Sequence, residues 1–221
     1  MIWEEIPQCT AEASGRGDLN WIMSVTKSFD QMSQTDQEKY LQLHNIFKNT
    51  QDLQPEKIHG QNELKLMMNK IFGVDGAEKV LAILNIFETN FFSDSNRDFL
   101  GIQTSRFNHS CFPNADWFSI PEKEEIEIRA MSRIKEGDEI FYDYSTTISD
   151  DFEEDGTEFF MPCDCEDIQC RYKIGDFKYL SKSKRRYYIS KNVVMSFIVE
   201  KIWAKKIENP LTSERKSNIL S

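Results

Sequence analysis

The chain has 221 residues, 39% hydrophobic and 12% aromatic, enough for one globular domain with a real core. A net charge of −10 favours basic partners and argues against direct nucleic-acid binding. No apolar run reaches the roughly 18 residues of a membrane helix, and MIWEEIPQ lacks the apolar centre of a signal peptide. An intracellular monomer, nuclear or cytoplasmic, is therefore expected.

Ile2 to Ile6 reads as a short strand ended by Pro7, and the polar stretch through Asn20 reads as a loop. Trp21 to Phe29 is a weak apolar segment. MSQTDQEKYLQLHNIFKN predicts a helix, with Thr35 and Glu38 as a capping box and Tyr40, Leu43 and Phe47 on one face. Leu64, Met67, Met68 and Ile71 predict a second helix that stops near Gly73. Asp75 can cap a third, whose buried face holds Val80, Leu81, Leu84 and Phe87. After Asp94 the period changes. Phe99–Ile102, Trp117–Ile120, Glu125–Met131 and Ile140–Tyr144 read as short strands. A Cys-rich segment comes next, then a helical tail over roughly 186–206. Helices segregated from short strands imply an α+β fold. The runs SDDFEEDGTE (149–158) and KYLSKSKRRYY (178–188) read first as solvated surface, although KSKRR also has the composition of a nuclear signal.

The five cysteines, an odd number, argue against a disulfide framework in an intracellular chain. PCDCEDIQC places Cys163, Cys165 and Cys170 in the spacing C-x-C-x4-C. Three thiolates this close suit one ion, and zinc prefers four tetrahedral ligands with sulfur among its favoured structural donors. Simple burial of three structural thiols is the alternative. The fourth ligand is missing locally, and the remaining cysteines are Cys9 and Cys111.

NHSCFPNA, IKEGDEIFYDYS and CDCEDIQCRYKIGD occur in that order. Together they resemble SET-domain protein lysine methyltransferases that carry a post-SET zinc segment. LQLHNIF and ETNFF, ahead of SRFNHSC, look like the fungal-type SET-only proteins and their SET-and-MYND relatives, without the cysteines of a MYND finger. The resemblance covers roughly residues 1–180. It implies a SET domain over 1–147 with a helical insert at about 20–92, a post-SET segment at 160–177 and a helical basic tail at 178–221.

It also implies the chemistry: methyl transfer from S-adenosylmethionine to a lysine of a basic protein, with a histone tail as one such substrate. Cys111 becomes the fourth ligand of a structural zinc beside Cys163, Cys165 and Cys170. Asn108 and His109 would contact the cofactor, the histidine through its backbone, with Arg106 near the pocket and Ile174 and Phe177 covering the adenine. Tyr144 matches the catalytic tyrosine. Tyr142 matches the position that limits product degree, and a tyrosine there implies monomethylation, with dimethylation the second outcome. Strand period would set Tyr142 and Tyr144 on one face and Asp143 on the other.

One departure stands out. SET domains open with a strand pair bearing a G-x-G motif for the cofactor. MIWEEIP resembles the segment just after that pair, so the chain reads as N-terminally truncated. Gly15-Arg16-Gly17 mimics the motif but falls in the polar stretch and reads as a loop. The alternative function is a SET module with an impaired cofactor site that binds a protein or peptide.

Overall fold

Side chains at helical spacing build the first half of the chain. The computed structural model describes residues 2–12, 17–48, 55–93, 97–120, 125–148, 160–195, 198–200 and 202. The chain divides into two units. The helical unit holds residues 3–107 and 120–127, and the cysteine unit holds 1–2, 108–119 and 128–221.

The first strand, β1, is Ile2–Glu5 as expected. Strand β2, Cys9–Glu12, lies in the stretch read as a loop. It is too short for a period to show, yet Cys9 and Ala11 are both buried. Helix α1, Leu19–Asp30, starts where the Asp18 carboxylate accepts the Trp21 N–H at 2.8 Å. It buries Trp21, Ile22, Val25 and Phe29. Helix α2 is shorter than its period predicts: it runs from Gln34 to Tyr40, and the cap is Ser33, not Thr35. Ser33 Oγ accepts the Asp36 N–H at 3.2 Å. Tyr40 is wholly buried and donates its hydroxyl to the Ile83 carbonyl at 2.8 Å, so tertiary docking ends the helix.

Helix α3 spans Pro55–Asn90 and is interrupted at Gly73, where φ is 71° and ψ 174°. That conformation is open to glycine at little cost, which is why two predicted helices meet there. Leu84 and Phe87 of α3 join Trp21 and Phe29 in one core. Strands β3 (Phe92–Ser93) and β4 (Arg97–Leu100) complete an antiparallel sheet of order β2-β4-β3. Trp21 Nε1 donates to Asp98 on β4 at 2.9 Å.

Of the strands expected in the second half, β6 (Ala115–Ile120) begins two residues early, while β7 (Glu125–Ala130) and β8 (Phe141–Tyr142) are shorter than expected; β5 (Asn108–His109) forms where no strand was expected. Strands β5 and β8 pair in parallel, His109 opposite Tyr142. β9 (Phe160–Pro162) and β10 (Lys173–Gly175) pair antiparallel. Helix α4 is Lys182–Ser190, capped by Ser181, and so starts before the expected 186. The acidic run from 149 and the end of the expected tail lie outside the described residues. The α+β reading stands, and no described helix is long and apolar enough to cross a membrane.

A buried carboxylate organises the end of the helical unit. Glu5 accepts the Gln103 N–H at 2.9 Å and the Thr104 N–H at 2.8 Å, and Gln8 accepts the Ile102 N–H at 2.8 Å. Three successive amides are thereby satisfied at the start of the 3-10 turn Thr104–Arg106. A Cβ on Gly101 would lie 2.5 Å from Glu5 Oε2 and 2.4 Å from Thr104 Oγ1. Gly101→Ala must therefore push that carboxylate off its amides. We expect a loss of about 1–3 kcal/mol, read as a lower urea midpoint at unchanged m-value. An unshifted midpoint would show that the carboxylate relocates without cost.

Candidate active site and metal centre

Asn-His-Ser-Cys enters the cysteine unit as β5, so alternate side chains face opposite ways. Asn108 is exposed and His109 buried. The Asn108 amide donates to Glu139 Oε1 at 2.6 Å. Asn114 works as a clamp. Its amide donates to the Glu139 carbonyl at 2.8 Å, and its side-chain oxygen accepts the Phe141 N–H at 2.9 Å. That clamp fixes the approach to β8, and the Ser110 N–H donates to the Tyr142 carbonyl at 3.1 Å.

Tyr142 ends β8 and Tyr144 opens a 3-10 turn, Tyr144–Thr146. The strand expected to carry both tyrosines is thus shorter, because Asp143 caps that turn through the Ser145 N–H. The rings still meet, their centroids 4.7 Å apart. The His109 ring lies 5.3 Å from the Tyr144 ring. Burial raises the pKa of both phenols, so both stay protonated near neutrality. Burial also lowers His109 to about 4 and outweighs the Asp143 charge, which leaves the ring neutral.

Asp143 is fully enclosed and is the hub of the site. Arg171 grips it with two bonds of 2.7 Å, and Tyr188 of α4 donates to it at 2.8 Å. Burial would raise its pKa, but Arg171 overrides that and holds it below the ordinary carboxylate value. The Lys184 ammonium of the same helix donates to the Cys111 carbonyl. Sequence reasoning singles out none of Asp143, Arg171 and Tyr188. Opposite charges inside two neighbouring motifs, YDY and CRY, are the available signal for the first two; nothing local marks Tyr188.

The four cysteines named from the sequence come together. Their sulfurs lie within 4.8 Å of one another. Cys163 Sγ is 3.7 Å from Cys111 Sγ and 3.7 Å from Cys170 Sγ. A tetrahedron of zinc–sulfur bonds has edges of about 3.8 Å, so the donor set fits a structural zinc with no open position. Backbone amides point at the sulfurs as thiolates require. Arg171 N–H meets Cys111 at 3.3 Å, Tyr172 N–H meets Cys170 at 3.3 Å, and Cys111 N–H meets Cys165 at 3.5 Å. Cys9 is elsewhere, in the core of the helical unit. Its thiol donates to the Val25 carbonyl, and burial pushes it up to about 12.

The SET domain family matches residues 9–145. The chain belongs to the SET-domain family. SET domains are typically protein lysine methyltransferases that use S-adenosylmethionine. The match begins ahead of Gly15-Arg16-Gly17 and ends at Ser145, so Cys163, Cys165 and Cys170 lie beyond it. No curated protein matches the sequence. Gly15 and Arg16 lie outside the described residues, while Gly17, at φ 85°, immediately precedes the Asp18 cap of α1. Arg106 closes the 3-10 turn of the helical unit and is exposed. Ile174 packs with Cys111 and Cys163, and Phe177 is fully enclosed.

Two measurements test this site. Metal content should be near one zinc per chain, and Cys170→Ser should lose it; full zinc in that variant would remove Cys170 from the ligand set. The second concerns Asp116, which is fully buried with Oδ2 unpartnered, its pKa raised by burial to about 8. An unfolded aspartate ionises near 3.8, whereas the folded one keeps its proton to about 8. Folding therefore loses up to about 1.4 kcal/mol per pH unit across that window. Stability is highest on its acid side and falls as pH rises towards 8. Asp116→Asn removes this slope. Its stability advantage should grow from pH 4 to pH 8 and then level off, and an advantage that is flat with pH would contradict a protonated Asp116.

Proposed function

We propose that this chain transfers one or two methyl groups from S-adenosylmethionine to a lysine of a basic protein, a histone tail among them. The observation that carries the reading is the pair of neutral phenols, Tyr142 and Tyr144, held ring to ring beside the Asn-His-Ser-Cys strand.

The cofactor supplies a sulfonium methyl group when bound. The residues toward it fit in their chemistry. Asn108 gives its amide N–H to Glu139 and so leaves a side-chain oxygen to accept from an ammonium. The Glu139 carboxylate beside it adds negative charge for a cationic ligand. The backbone of His109, with Ile174 and Phe177, completes the part of the set that the family resemblance supplies within the cysteine unit. Two of these, Ile174 and Phe177, are already buried among the residues of the cysteine unit.

Substrate lysine must arrive as a neutral amine. The two phenols cannot take its proton, because burial keeps them protonated. They orient the amine by hydrogen bonds, and the proton leaves to solvent. Positioning and fixed dipoles do most of the work in such a displacement. A net charge of −10 suits a basic substrate and a monomer acting on it. The Tyr142 hydroxyl occupies room that further methyl groups would need.

Calorimetry with S-adenosylmethionine and labelled methyl transfer to core histones test the reading. We expect binding, transfer, and a loss of about a hundredfold in kcat for Tyr144→Phe. Tyr142→Phe should shift the products towards higher methylation, read by mass spectrometry. A chain that binds histone peptide but no cofactor would instead be a peptide-binding SET module.

A further inference from the structure

The Cys111 sulfur is fully buried and is approached by two nitrogen groups that are not metal ligands. His109 Nε2 lies 3.4 Å from it, and the Arg171 backbone N–H lies 3.3 Å from it. Each of those residues also reaches the tyrosine segment. His109 Nδ1 accepts the Tyr144 N–H at 3.1 Å. The Arg171 guanidinium holds the Asp143 carboxylate by two bonds of 2.7 Å. Residues 143 and 144 are therefore both tied to one sulfur, each through a single residue.

The hydrogen bonds assign the ring its tautomer. A neutral imidazole has one N–H and one lone pair. The Tyr144 N–H takes the lone pair at Nδ1, so the ring proton sits on Nε2 and faces Cys111. A donor in that place matches a metal-bound thiolate, which accepts hydrogen bonds. Partners just outside a metal's ligands orient those ligands and tune the metal. Here the outer partner has a second end, on the backbone of the tyrosine.

We propose that His109, with Arg171 as a parallel arm, is a positioning residue that couples the four-cysteine centre to Tyr144. The metal-bound thiolate orders the imidazole, and the imidazole orders the Tyr144 amide. The inference takes the role of Tyr144 from the proposed methyltransferase reading, but the coupling itself is a matter of hydrogen bonds and is measured without turnover.

The test uses the full chain, labelled with ¹⁵N and loaded with ¹¹³Cd in place of zinc. We expect cadmium coupling across the hydrogen bonds to His109 Nε2–H and to the Arg171 N–H, with Nδ1 unprotonated. Hydrogen exchange at the Tyr144 amide then reads the far end. His109→Gln, still metal-loaded, should speed that exchange about tenfold, and the Phe87 amide, in the core helix α3, serves as a folding control; the variant is otherwise the full chain. Its kcat should fall about 10- to 100-fold, with KM for S-adenosylmethionine nearly held because the backbone of residue 109 remains. A proton on Nδ1, turned to the Tyr142 carbonyl, would overturn the proposal. So would absent cadmium coupling to the ring, a chain that takes up no cadmium, or an unchanged Tyr144 amide in the loaded variant. Lack of methyl transfer with these couplings intact would count against the methyltransferase reading alone.

Discussion

The carboxylate of Asp143 has no contact with water, yet it stays charged because four donors converge on it: two from Arg171, one from Tyr188 and one from the Ser145 amide. Removing a buried charge from water costs several kcal/mol, and only good geometry returns it. The planar guanidinium supplies that geometry, which a lysine could not. Three separate stretches of the cysteine unit, at 143–145, at 171 and at 188, have to be in place before this ion is satisfied. The tyrosines on either side of Asp143 inherit that placement. A weak hydrophobic cluster around Cys111, Cys163 and Ile174 could not specify it alone.

How legible each feature is in the sequence depends on how local its signal is. Cys111, Cys163, Cys165 and Cys170 are legible because metal donors are chemically distinctive and three sit within eight residues. The pause at Gly73 is legible because one residue type carries the backbone freedom that the break needs. The period of Leu43 and Phe47 overextends helix α2, because it continues past Tyr40 while the chain turns where the Tyr40 hydroxyl docks on α3. Strand β2 escapes a sequence reading because four residues cannot display an alternation. The Asp143 hub escapes it for a different reason. A salt bridge spanning 28 residues is visible only when the fold is, although both partners lie inside motifs that the sequence marks.

The cysteine unit also contains a second buried carboxyl in the opposite state. Asp116 and Asp143 sense each other's charge, and Asp143 is one of the causes that raise Asp116. Arg171 can satisfy one of them. The other, with one oxygen unpartnered, lowers its energy by keeping its proton. The hydrogen bond from the Trp117 N–H favours ionisation of Asp116 but does not overcome burial. Two like charges in that enclosed space would repel each other, and the proton on Asp116 removes that repulsion.

A protonated Asp116 keeps a second carboxylate charge out of this region. With it neutral, the carboxylate charge enclosed here is that of Asp143, balanced by Arg171, and the neighbouring phenols and imidazole stay uncharged by burial. A site in that state presents hydrogen bonds of fixed direction and no base strong enough to hold a lysine's proton. On the proposed methyltransferase reading, such a site would hold an amine by orientation and leave its nitrogen lone pair available. That is the requirement of an in-line methyl transfer, in which the attacking nitrogen must be neutral and the departing group begins positively charged.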